Sequence, residues 1–231
     1  MAELTQGLIY YVVFLFSTTL HEAAHAWAAR RGGDLTAYHG GQVSLDPLPH
    51  IRREPFGMVL LPLLSVAVSG WPFGYASAPY DPAWAERHPR RAAWMALAGP
   101  AANVLLVLLA AGLLRLGIAV GVFSMPASVK FGHLVEAQGA WDGAALLVSA
   151  FFSMNLLLAV FNLLPLPPLD GSGAAPLLLS PTATRGYQRF LRSSPMLGVI
   201  GMLLAWQVFS FIFNPIFLGA VNLLYPGAGF H

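Results

Sequence analysis

The sequence predicts an all-α polytopic membrane protein: a three-helix core plus a C-terminal transmembrane helix, with a re-entrant or extended segment between the first two core helices. Three observations carry that expectation. Hydrophobic residues make up 57% of the chain and charged residues only 10%, with a mean hydropathy of +0.65, far from the composition of a soluble domain. Four apolar runs are long enough to cross a bilayer core as helices. The chain between them is rich in Gly, Pro and Arg, the chemistry of interfacial loops. At 231 residues this makes one integral-membrane domain over 1–231, with no room for a separate large soluble domain.

Taken in order, the opening MAELTQ carries no Lys or Arg, so the first apolar run is expected to be a retained helix rather than a signal peptide. It spans about 8–29. Arg30 and Arg31 suit the negative end of its dipole, and Gly32-Gly33 stops it. Residues 33–56 are polar and irregular, an interfacial loop. The apolar stretch 57–70 is short for a span and reads as re-entrant or buried. WPFGYASAPYDP, which follows, reads as extended chain. Further spans are expected at about 92–116, containing AGPAAN, and at 143–164, followed by NLLPLPPLDG. A loop at 118–142 separates them. Residues 171–195 read as a mixed loop, and 196–224 as a last span kinked at Asn214-Pro215. The histidines outside the first span, His39, His50, His88, His133 and His231, read as loop residues.

The chemistry centres on HEAAH at 21–25. Four residues is about one helical turn, so His21 and His25 share a face and can offer imidazole nitrogens to one metal ion. Glu22 is offset from that line, placed to take a proton from water activated by the metal. No cysteine is present, so thiolate ligands and disulfides are excluded, and a metal site must be built from His, Asp and Glu. A catalytic zinc generally takes three protein ligands. Asp170, among apolar residues at the end of a span, is the candidate third, and it reads equally well as a turn or helix-cap aspartate before Gly171. Topology favours the ligand reading. If 57–70 re-enters rather than crosses, His21, His25 and Asp170 meet at one membrane face. The same choice gathers Arg30, Arg31, Arg52, Arg53, Arg87, Arg90, Arg91, Arg185, Arg189 and Arg192 there, leaving Arg115 and Lys130 opposite. By the positive-inside rule that face is cytoplasmic. The net charge of +2 sits in these loops, beside lipid headgroups, and no nucleic-acid partner is expected.

HEAAH, AGPAAN and NLLPLPPLDG, in that order on separate apolar segments, resemble the site-2 protease family of intramembrane zinc metalloproteases. VSLDPLPHI and GWPFGYASAP are similar to segments that small members carry between the first two core helices. One departure is Arg52-Arg53-Glu54-Pro55, where small members often have Asp-Pro. The resemblance implies a small member without PDZ or CBS domains, resident in the cell membrane. Its Zn2+ would be held by His21, His25 and Asp170, with Glu22 as general base. It also implies a membrane-anchored protein substrate, cut in or near a transmembrane segment, with Asn162 and Asn103 as substrate-binding candidates. Oligomeric state is left open. Two rival readings stay open: a membrane zincin acting on soluble or lipidated substrates, and a catalytically silent zinc-binding membrane protein.

Overall fold

The computed structural model describes residues 2–230, the side chains of 2 and 3 apart. His231 lies outside the described residues. Among the described residues, four helices are long and apolar enough to cross a membrane: α1 (Ala2–Gly32), α6 (Pro89–Ala119), α7 (Asp142–Asn162) and α10 (Met196–Leu224). Between α1 and α6 lie α2 (Thr36–His39), α3 (Pro47–Arg53), a π-turn over Phe56–Leu60 running into α4 (Leu61–Ser69), and α5 (Pro82–Arg87). Between α7 and α10 lie α8 (Asp170–Ala174) and α9 (Pro181–Arg192). Helices cover these stretches: α1 and α6 run past both expected ends, α7 stops at Asn162, short of 164, and α10 keeps the expected bounds. Two expected loops contain short helices, each with a local cause. Asp46 and Ser180 accept hydrogen bonds from Leu48 N and Ala183 N, capping α3 and α9 ahead of a Pro at the first helical position. α10 continues through Pro215, so that proline does not end it.

Lipid offers no hydrophobic drive for helices to associate, so close packing at small residues has to hold the bundle. The buried contacts are accordingly rich in alanine: Ala26 and Ala29 on α1, Ala93 and Ala110 on α6, Ala145, Ala150 and Ala159 on α7. Leu105, Leu108 and Leu109 on α6 and Leu203, Trp206 and Phe211 on α10 remain exposed, as a lipid-facing surface requires. α10 is the least buried of the four. It seats against the loop before α8 at Gly201, where an added Cβ would overlap the Pro167 carbonyl oxygen.

The segment between α1 and α6 goes in and comes back. Its start is tied near the C-terminal end of α1, since Ser77 Oγ donates to Glu54 (2.6 Å) and Asp81 N–H donates to Asp34 (2.8 Å). Its turn lies at the other end, where Gly70 packs against Gly7. The return over 71–81 is extended. It passes Tyr10 at Trp71 (5.2 Å between rings), then Phe14 at Gly74, and bonds Tyr75 N to Gly57 O (3.0 Å). Both ends thus sit at one end of the bundle. The C-termini of α1 and α7 come together there, whereas Tyr225 on the Leu134 carbonyl and Arg115 on the Leu224 carbonyl mark the opposite end.

Candidate metal centre

One turn of α1 brings His21 Nε2 within 3.0 Å of His25 Nε2. Asp170 Oδ2 lies 3.1 Å from the first and 3.3 Å from the second. A tetrahedral metal with bonds of about 2.0–2.1 Å has ligand-to-ligand edges of roughly 3.3 Å, so these three atoms are spaced as three corners of one zinc polyhedron. Three polar atoms meeting between apolar helices are expensive unless they share a partner, which is the second reason to read the triangle as a ligand set.

The imidazoles are pinned from behind. His25 Nδ1 donates to the Met95 carbonyl at 2.7 Å, and His21 Nδ1 meets Asn103 Oδ1 at 2.5 Å. His25 therefore keeps its Nε2 lone pair for the shared point, and His21 does so when Asn103 turns its oxygen toward Nδ1. Gly99 lets α6 approach the two rings closely, since any Cβ there would overlap both Nε2 atoms. These observations show that the residues fit a bound zinc.

Asp170 opens α8, and the position after it admits only glycine: a Cβ on Gly171 would overlap the carbonyl oxygens of Leu163 and Leu164. Behind it, Ser172 Oγ donates to Leu169 O (2.7 Å), and Tyr187 of α9 donates to Ser172 O (2.9 Å). The aspartate is thus held by both the end of α7 and the helix that follows. Its side chain is 22% exposed against 7% for either histidine, so the cluster opens toward the arginine-bearing end through Asp170. Glu22 is buried, and a carboxylate oxygen of it lies within 4.8 Å of a ring nitrogen of each histidine.

The two asparagines fall in different places. Asn162, half-buried at the last turn of α7, donates to its own helix at Leu158 O (3.0 Å). Asn103, expected along a substrate cleft, is wholly buried, with its amide engaged by His21 at one end and Asn155 at the other. Gly99 of AGPAAN stands against both imidazoles. Asn155 and the Met95 carbonyl were not singled out at all. A polar Asn within the apolar run of α7 was the available signal for the first, and a backbone carbonyl gives none.

Four apolar helices around a His–His–Asp triangle with an adjacent glutamate define a multi-pass membrane protein whose bundle encloses side chains that could hold a metal ion. The chain belongs to peptidase family M50, the site-2 protease family, whose profile matches residues 9–206. It is 32% identical over 162 residues to "Putative zinc metalloprotease YwhC" of Bacillus subtilis, covering 69% of this chain and 64% of that protein. It is 35% identical over 172 residues to "Putative zinc metalloprotease Rip2" of Mycolicibacterium smegmatis, covering 74% and 58%. A Rip2 of Mycobacterium tuberculosis is 31% identical over 234 residues, covering 98% and 79%. The matched region thus spans about three fifths of the length of the first two relatives. No solved structure matches the chain.

Proposed function

We propose that this chain is a zinc-dependent intramembrane endopeptidase that hydrolyses a peptide bond in or near a transmembrane segment of a membrane-anchored protein. The observation that carries it is the triangle of His21 Nε2, His25 Nε2 and Asp170 Oδ2 inside the bundle, with Glu22 beside it. His21, His25 and Asp170 hold the metal. Zinc, when bound, supplies a Lewis acid that makes water nucleophilic near neutral pH and polarises the scissile carbonyl. Glu22 takes a proton from the attacking water and delivers it to the departing peptide nitrogen as the C–N bond breaks. Retention of this carboxylate favours turnover over mere zinc storage, because binding alone needs no base.

A transmembrane helix has its carbonyls hydrogen-bonded and must open before it can be attacked. The extended return at 71–81 can hold the opened strand by main-chain pairing, and Asn162, at the end of the bundle where Asp170 is partly exposed, can contact it. Ten of the twelve Lys and Arg residues lie in segments at that end, which supports a cell-membrane protein whose active site faces the cytoplasm.

The test is reconstitution in vesicles with a single-span substrate and, separately, with a soluble peptide of the same sequence. The expected result is cleavage within or beside the apolar segment by wild type and none by Glu22→Gln. Cleavage of the soluble peptide alone would make the chain a membrane zincin for soluble substrates.

A further inference from the structure

The two histidines are held at Nδ1 by unlike partners. For His25 the partner is the Met95 carbonyl, an atom that only accepts, so Nδ1 must carry the proton and Nε2 the lone pair. For His21 the partner is the Asn103 carboxamide, which presents either an acceptor or a donor according to which way it is turned. Nothing in the Asn103–His21 pair decides that. The decision is made one residue further away, on α7.

Asn155 has one amide end 2.8 Å from the Phe151 carbonyl and 2.9 Å from Ser17 Oγ, and its other end 2.9 Å from Asn103. The Phe151 oxygen can only accept, so the Asn155 NH2 must face it. The Asn155 oxygen then faces Asn103, which must answer with its own NH2 and turn its oxygen to His21. His21 Nδ1 is left as the donor. Ser17, Asn103 and Asn155 are all 0% exposed, so no solvent can substitute for a reversed link, and a reversal anywhere sets two acceptors or two donors face to face.

We propose that Asn155 is a positioning residue: acting through Asn103, it transmits the polarity of the Phe151 carbonyl to His21 and fixes the imidazole tautomer whose Nε2 faces the metal. The proposal rests on the ligand set given above. It assigns the α7 polar residue a role in metal binding, although it touches neither the ion nor either histidine.

The test compares Asn155→Thr with Asn155→Val, which have the same shape. A threonine hydroxyl can donate to the carbonyl four residues back and still accept from Asn103, preserving the direction of the relay; valine can do neither. Zinc affinity is read by chelator competition on the purified protein in detergent, with the thermal midpoint of the metal-free protein read alongside. Asn155→Thr is expected to bind within a few-fold of wild type, and Asn155→Val about 10- to 100-fold more weakly. Equal affinities for the two variants, strong or weak, would overturn the relay, because packing alone does not separate Thr from Val. Asn155→Ser and Asn155→Ala form the same polar and apolar pair should Asn155→Val fail to fold. Wild type and His21→Ala are measured together: zinc retained by His21→Ala would refute the ligand set itself, a different failure from Thr and Val behaving alike.

Discussion

Replacing Gly99 by alanine adds one methyl group directly against the two candidate ligand histidines. The new Cβ would sit inside 3.0 Å of both His21 Nε2 and His25 Nε2, the two atoms proposed to hold the metal. In the metal-free protein the rings can turn aside. On zinc binding both Nε2 atoms must come back to one point, and their Nδ1 atoms are tied to Asn103 and Met95, so they cannot retreat together. The overlap then weakens binding directly. Overpacking by a methyl costs about 1–3 kcal/mol, which predicts zinc affinity weakened about 5- to 150-fold. Gly112, on the same helix with nothing within 4 Å of an added Cβ, is the control. Gly112→Ala should leave zinc affinity unchanged and stabilise the helix by up to about 0.5–1 kcal/mol. Chelator competition on both purified variants decides the matter. Equal zinc affinity for Gly99→Ala and wild type would show that the ion does not sit against Gly99.

Gly171→Ala sets a Cβ against two backbone carbonyls, Leu163 O and Leu164 O, which cannot rotate away as side chains do. It should cost about 1–3 kcal/mol, lowering the thermal midpoint by several degrees and weakening zinc binding by displacing Asp170. Stripping the metal from wild type with a chelator should lower the midpoint, and reloading should restore it, by about 2.7 kcal/mol at a free zinc concentration one hundred times Kd. Asp34, just beyond the first span, is held below the ordinary carboxylate range: burial opposes this, but hydrogen bonds from Thr36 Oγ1–H, Thr36 N–H and Asp81 N–H outweigh it. Its folded pKa is depressed, so its stabilisation is present above about pH 4 and is lost as pH falls through the lower folded value. Asp34→Asn should therefore be less stable than wild type at neutral pH and lose less stability on acidification, as read by thermal midpoints across that range.

The parts of the site carried by local spacing were legible in the sequence. His21, Glu22 and His25 fall on one helix, and a single period fixes their relation. Asp170 lies 145 residues beyond His25 and was reached by counting membrane crossings, with the short 57–70 stretch read as re-entrant. The in-and-out path between α1 and α6 has the parity that argument needed. What the sequence did not reveal are contacts between helices. Gly99 looks like any small residue in a span until His21 and His25 are seen across from it. Asn155 looks like any buried polar residue until the Asn103 amide that it orients is seen to end on a metal-facing ring. Such relations depend on how α6 and α7 are rotated about their axes, and the shallow polarity differences around these apolar helices leave that rotation unspecified.

In the proposed site His21, His25 and Asp170 hold one zinc while Glu22 moves the proton. Metal content of wild type, Asp170→Ala and Glu22→Gln, purified in detergent under identical conditions, tests it most directly. About one zinc per chain in wild type and in Glu22→Gln, with loss in Asp170→Ala, is the predicted result. Zinc kept by Asp170→Ala and lost by Glu22→Gln would contradict it, making the glutamate the third ligand and leaving the aspartate as a helix cap.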